Sequence, residues 1–413
     1  MRSLGRAALT AALIAFPALA QGPVQRFTLD NGLPVTLREE QGRPLFRVRL
    51  RLALHPGDLP PGKEGLVALA LRMMDLGEAG HLGPTAFDRA LDEGGIRLTR
   101  TLSADAITWN LVSRGRDQDR ALGLLADRVL RPILDPSALE SQRLACGQDQ
   151  KEVLASPEAS LCAALGLDGP SAATEKSLSL LTFKDLQDFL RRVFRPDRAI
   201  LALEGDLGPE QARALVLLSF GTWTGGTLPP ATTPPQATAP VPSLAPVARI
   251  AASGAPLRVE AAAPPPEGLH PALWDLAVLL LHDDPALAPA TMTAPAEPGT
   301  PLRFTLAAPP AGLTADRALA ALRDRLGHLR RRGYTEADLA RAKAAWTAGR
   351  QVQALHPQAL LADDVLAVAG RLAQPADVAA ATLEGLNGAM LLWLDPARLR
   401  WAVIGDPKDL PKQ

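Results

Sequence analysis

Residues 65–77 read Gly65-Leu66-Val67-Ala68-Leu69-Ala70-Leu71-Arg72-Met73-Met74-Asp75-Leu76-Gly77. Leu66, Leu69, Met73 and Leu76 recur at helical spacing, which predicts a helix with one apolar face built to pack. Gly77 follows the last periodic residue, where a helix commonly stops. The opposite face carries Ala68, Leu71 and Arg72. Ala68 and Arg72 are four apart, so one stands above the other. Two His at that spacing, with a neighbouring Glu, would grip a metal and supply a base. Here the spacing is present without those ligands.

Outward from this helix the chain reads as α+β. Phe27-Thr28-Leu29 and Val35-Thr36-Leu37 flank Asp30-Asn31-Gly32, a hairpin signal. From Phe46 to Leu54, Arg47, Arg49 and Arg51 alternate with Val48, Leu50, Leu52 and Leu54. That is a half-buried strand, and its arginine row reads as a solvated face. Helices are predicted over 84–94, 117–129, 136–154, 183–193 (Thr182 as N-cap) and 209–218. Strands are predicted over 96–102, 106–112 and 199–203. The pattern is antiparallel strands with helices grouped on one face.

From Gly225 to Pro246 the composition turns Pro-rich, as in Thr227-Leu228-Pro229-Pro230, and favours extended backbone over a packed core. Beyond it the first half repeats. Phe194–Asp206 aligns without a gap on Leu394–Asp406, an offset of 200. Pro196/Pro396, Arg198/Arg398, Ala202/Ala402, Gly205/Gly405 and Asp206/Asp406 coincide. Thr182/Thr382, Leu186/Leu386, Leu139/Leu339 and Ala145/Ala345 keep the same register. One offset held across three elements argues for a duplicated domain. The expected plan is a first domain over 21–224, a linker over 225–246 and a second domain over 247–413.

Asp30-Asn31-Gly32-Leu33, then Pro61-Gly62-Lys63-Glu64-Gly65-Leu66, then Met73 and Gly77 resemble the start of the peptidase M16 family (pitrilysin, insulinase, mitochondrial processing peptidase). Gly333-Tyr334-Thr335-Glu336-Ala337-Asp338-Leu339 and Leu273–Leu281 resemble its second half, so the likeness covers nearly the whole chain after residue 20. The family has two α+β halves that close around a peptide. Its inverted zinc motif H-x-x-E-H would place its two His on Ala68 and Arg72 and its Glu base on Leu71. Its third ligand, a Glu, would fall on Asp149. The resemblance thus implies the fold and removes the zinc, so no cofactor is expected. Arg72 and Asp149 are expected to form a charge pair in place of the metal bridge. The oxyanion-steadying Arg and Tyr of two-chain relatives fall roughly on Ala359 and Arg371. One departure is the stretch from Asp284 to Pro301, where the family has a helix and two strands, so the second domain is expected to be pared down.

Residues 1–20 have a positive start (Arg2, Arg6), a short apolar run and Ala18-Leu19-Ala20, the pattern of a secretory signal peptide. Export, to a bacterial periplasm by the resemblance, is expected. No later stretch is long and apolar enough to span a membrane. Lys+Arg and Asp+Glu are equal at 44 each, and no basic stripe points to nucleic acid. Cys146 and Cys162 are the two cysteines; pairing and two buried thiols are both open. None of the six His has a second His at i+4. His282-Asp283-Asp284 reads as a polar helix end before a weak metal site. No Gly-x-Ser-x-Gly elbow, P-loop or dinucleotide fingerprint occurs. The expected function is a non-catalytic or peptide-binding subunit beside an active M16 chain or in a homodimer. The alternatives are an active zinc metalloendopeptidase with non-standard ligands and a stand-alone envelope binding protein.

Overall fold

The computed structural model describes residues 24–103, 105–167, 173–225, 247–264, 266, 268–293, 301–307, 314–353, 357–396 and 398–410. The expected leader, residues 1–20, and residues 226–246 of the expected linker lie outside the described residues.

The first half begins with the hairpin of β1 (Val24–Thr28) and β2 (Pro34–Glu39), then β3 (Leu45–Ala53). Gly32 sits at φ 88°, and Asn31 Nδ2 donates to the carbonyls of Phe220 and Trp223 at 2.8 and 3.0 Å. Next come α1 (Leu66–Leu76), β4 (Glu78–Ala79), α2 (Pro84–Gly94), β5 (Arg97–Leu102), β6 (Ala106–Arg114) and α3 (Gln118–Leu130). The half closes with β7 (Pro132–Ile133), α4 (Leu139–Ala155), α5 (Pro157–Leu165), α6 (Glu175–Leu180), α7 (Phe183–Val193), β8 (Ala199–Gly205) and α8 (Pro209–Phe220). Its main sheet runs β1-β2-β8-β3-β6-β5, with β2 and β8 parallel and the other pairs antiparallel. Strand alternation sends Phe46, Val48, Leu50 and Leu52 of β3 into the core beneath the helices, all within 1 % of full burial.

The second half comprises β9 (Val247–Ala251), β10 (Arg258–Ala263), α9 (Pro271–His282), β11 (Thr291–Thr293), β12 (Leu302–Ala307) and α10 (Ala315–Arg332). It ends with α11 (Glu336–Gln353), α12 (Pro357–Val368), α13 (Pro375–Ala380), α14 (Leu383–Trp393) and β13 (Arg400–Gly405). Its sheet order, β11-β12-β10-β13-β9, reproduces β5-β6-β3-β8-β2, and β13 and β9 are parallel as β8 and β2 are. The two halves are therefore one α+β design used twice. The expected loss of two strands from the second half is corrected. β11 and β12 are both present, β11 as a three-residue edge, and among the described residues it is the counterpart of α2 that is missing.

The offset of 200 also relates α5 to α12, and these two helices are exchanged. Leu161 and Leu165 of α5 pack on Ala262, Ala402 and Ile404, the helix-free face of the second half's sheet. Leu361 and Val365 of α12 pack on Ile200 and Ala202, the helix-free face of the first half's sheet. Each brings a carboxylate to the arginines of the sheet it covers. Asp364 takes Arg38 of β2 at 2.9 Å with both side chains 8 % exposed, and Glu158 takes Arg258 and, at 2.6 Å, Arg303. The arginine row of β3 thereby differs from its expected solvated face. It points into the junction between the halves, where Arg47 is held by Glu204 and Arg51 donates to Asp105 at 2.9 Å.

Candidate functional site

The geometry around α1 begins at its two glycines. Gly65 lies in the left-handed region at φ 87°, and a Cβ there would stand 2.6 Å from that of Ala173. A Cβ on Gly77 would meet the Ile133 carbonyl oxygen at 2.2 Å. Any larger residue would displace one end of the helix, so the chain needs glycine at both positions. Between them α1 buries Leu66, Val67, Leu69, Ala70, Leu71, Met73 and Met74. Leu71 was expected on the outward face. It is 2 % exposed and belongs to the core of the first half.

Ala68 and Arg72 remain at the α1–α4 boundary, and Arg72 reaches across it. Its Nε donates to Gln142 Oε1 at 2.7 Å and its Nη1 to Asp149 Oδ2 at 2.5 Å. Gln142 and Asp149 are seven apart, two turns of α4, so they share a face. Cys146 lies between them, buried, and that burial pushes its thiol pKa up against the pull of nearby Arg72. Thus the charge pair read from the sequence is present, with an amide added. A guanidinium is a permanent cation that donates in a plane and accepts no proton. Leu71 offers no base. The arrangement ties two helices together.

The other side of α1 is occupied too. Arg100 of β5 grips Asp75 through two bonds of 2.7 and 2.8 Å. Arg128, 5 % exposed, donates to the Met74 carbonyl and stacks over Phe87 at 4.0 Å. Burial lowers its pKa, with Asp75 and Asp88 opposing.

Ala359 lies in the first turn of α12, and Arg371 follows the end of that helix. Arg371 pairs with Asp105 of the β5–β6 turn, so that carboxylate bridges Arg51 and Arg371 across the halves. Burial lowers the Arg371 pKa, and Arg51 adds to the effect. Ala359 brings no polar side chain. Asp284 of the His282-Asp283-Asp284 run is committed to Arg332 and to the Ala286 amide at 2.9 Å. Cys146 and Cys162 do not form a disulfide. Among the described residues no three His, Cys, Asp or Glu side chains converge as metal ligands. His356 lies outside the described residues.

No protein-family model matches the sequence, and no curated protein matches it. Solved structures do. A protease from Helicobacter pylori superposes with a TM-score of 0.75 at 15 % identity, over 94 % of this chain and 100 % of that one. The peptidase M16 inactive domain from Pseudomonas fluorescens gives 0.71 at 16 %, over 94 % and 99 %. The periplasmic protease PqqL from Escherichia coli gives 0.70 at 16 %, over 100 % of this chain and 49 % of that one. The chain has the M16-type peptidase fold. At these identities the likeness speaks for architecture alone, and the two-half plan is shared across the full superposed length.

Junction residues were the least visible in the sequence. Asp363 and Asp364 of α12 and Glu204 of β8 are buried carboxyls whose pKa values burial raises, with Arg350, Arg38 and Arg47 respectively opposing. The available signal was the offset itself. Pro157/Pro357, Ala159/Ala359 and Leu161/Leu361 coincide at 200, and the leucines are the residues that each helix plants on the other half.

Proposed function

We propose that this chain is an exported, non-catalytic M16-type protein that binds extended peptide and acts as a subunit beside an active M16 peptidase chain. The observation that carries the reading is Arg72. It sits where the second zinc-binding His of the motif would stand, is ion-paired to Asp149 where the third ligand would stand, and follows a buried Leu71 in place of the base. A neighbour described as an inactive M16 domain supports non-catalysis, and a periplasmic neighbour supports export. That no helix among the described residues is long and apolar enough to cross a membrane is compatible with release after leader removal. Zinc has no assigned role in this reading.

The test is affinity capture of the tagged chain, without residues 1–20, from its native envelope extract, read by mass spectrometry, with metal analysis of the pure protein. The expected result is a near-equal amount of an M16 chain with an intact H-x-x-E-H motif and no zinc in the bait. Zinc bound at a defined stoichiometry with chelator-sensitive peptide cleavage by the pure chain would overturn the non-catalytic reading. Recovery of the bait without an M16 chain would overturn the subunit reading.

A further inference from the structure

In the first half the boundary between α1 and α4 is bridged by Arg72, which reaches Gln142 and Asp149. Helices α9 and α11 hold the corresponding places in the second half, and at the offset of 200 Trp346 stands for Cys146 and Gly349 for Asp149. Gly349 brings no side chain to the boundary, and a Cβ built on it would meet nothing within 4 Å. A cavity of about 300 Å³ is left between α9, α11 and α12, and Gly349 lines it. Its walls include Trp274 and Trp346, each 7 % exposed, and the aliphatic side chains of Val278 and Leu366.

Three charged side chains line the cavity: Asp275, Arg350 and Asp363. Arg350 Nη1 pairs with Asp363 Oδ2 at 2.7 Å, and Gln353 Nε2 donates to Asp363 Oδ1 at 3.1 Å. That pair is neutral as a whole, so Asp275 is the charge left over. Its Oδ2 accepts from the Trp346 indole N–H at 2.8 Å, a neutral donor. Among the described residues no Lys, Arg or His nitrogen lies within 4 Å of the Asp275 carboxylate, and its Oδ1 accepts no hydrogen bond. Burial pushes the Asp275 pKa up, while the Trp346 hydrogen bond and the more distant Arg350 oppose it. The cavity thus holds one carboxylate in excess of its cations, set among indoles and aliphatic carbons. A partly desolvated anion without an ion-pair partner gains from a cation brought to it.

We propose that this cavity binds an alkyl ammonium or guanidinium group, with Asp275 as its anionic partner. The charged head donates to Asp275 Oδ1, and the alkyl stem lies against the apolar wall, as the stems of basic side chains do on protein surfaces. Indole neighbours favour an organic cation over a hydrated metal ion. The group comes either from a free amine or from a Lys or Arg side chain of a peptide, and the site stands independently of the subunit reading above.

Isothermal titration calorimetry on the full chain without residues 1–20 tests it, with four probes. Two are 1-aminopentane and its neutral isostere 1-pentanol; two are end-capped peptides, Gly-Gly-Lys-Gly-Gly and Gly-Gly-Gln-Gly-Gly. The amine, the Lys peptide or both are expected to bind, and the neutral member of the same pair is expected to bind at least about tenfold more weakly, as the loss of one charge-assisted contact. Tighter binding of the amine assigns the site to free amines, and tighter binding of the Lys peptide assigns it to a side chain. Asp275→Asn should weaken the cation about tenfold or more. Gly349→Leu leaves Asp275 and its Trp346 contact in place and fills the open wall, so it should abolish binding while the helix gains from the loss of a glycine. Glu336→Gln, at the exposed start of α11, should leave binding unchanged. Equal thermal midpoints for parent and Asp275→Asn show that the variant folds, and Gly349→Leu tests the site should it not. No binding of either cation, binding of 1-pentanol as tight as that of the amine, or cation binding unchanged in Gly349→Leu would overturn the site.

Discussion

At the scale of the residue, Arg72 determines what α1 can do. A His there would present a lone pair to a metal; the guanidinium presents only donors, and both of its described partners are on α4. The pair contributes little to stability, because Asp149 is 61 % and Arg72 36 % exposed. Asp149→Asn should therefore cost less than about 1 kcal/mol in urea unfolding. The same geometry makes a constructive prediction. Arg72 and Asp149 meet across the helices, and Ala68 stands one turn before Arg72. The triple substitution Ala68→His, Arg72→His and Asp149→Glu should bind about one zinc per chain, since three protein ligands make an open zinc site. The parent should bind none under the same dialysis, read by metal analysis. These positions were legible because a fixed motif spacing needs no three-dimensional information. The burial of Leu71 was not legible, since the exposure of an apolar residue on an apparently outward face depends on what other parts of the chain pack there.

At the scale of the element, local signals and long-range pairing separate clearly. Thr182 was readable as the N-cap of α7, and the structure adds a capping box with Asp185 and a 2.9 Å contact from Lys63. Partial burial pushes the Asp185 pKa up, but the hydrogen bonds from Lys63 and Thr182 together outweigh it and bring the value down to about 2. A carboxyl depressed in the fold stabilises above its unfolded pKa and loses that contribution as pH falls through the folded one. Asp185→Asn should thus lower the thermal midpoint at neutral pH, and the gap to the parent should close as pH falls from about 4 to about 2. A gap independent of pH would refute the assignment. The exchange of α5 and α12 was not legible from periodicity, because the surface each covers lies in the opposite half. Its chemistry is nonetheless strict. Arg38 and Asp364 are buried together, and removing one partner leaves an uncompensated charge. Arg38→Leu should cost about 3–5 kcal/mol, and adding Asp364→Leu should restore much of it, measured by urea unfolding of the single and double variants.

At the scale of the whole molecule, the duplication was readable and its consequence was not. Matching residues at a constant offset give two similar halves, and two similar halves could be independent beads on a linker. The exchanged helices make them one object. Residues 24–225 alone would present α5 with Leu161 and Leu165 unpacked and would leave Ile200 and Ala202 of their own sheet uncovered. Residues 247–410 alone would present α12 in the same condition. Buried apolar and ionic surface exposed in this way favours aggregation over folding. A chain with a protease site inserted between residues 226 and 246 separates the covalent link from the packed one. After cleavage the two fragments should stay together and elute at the position of the intact chain, because Leu161, Leu165, Leu361, Val365 and the Arg38–Asp364 pair still join them. Each fragment expressed by itself should fail to give a soluble, cooperatively unfolding protein, and coexpression should rescue both. Independent folding of either fragment would show that the exchanged helices decorate the halves and do not hold them together.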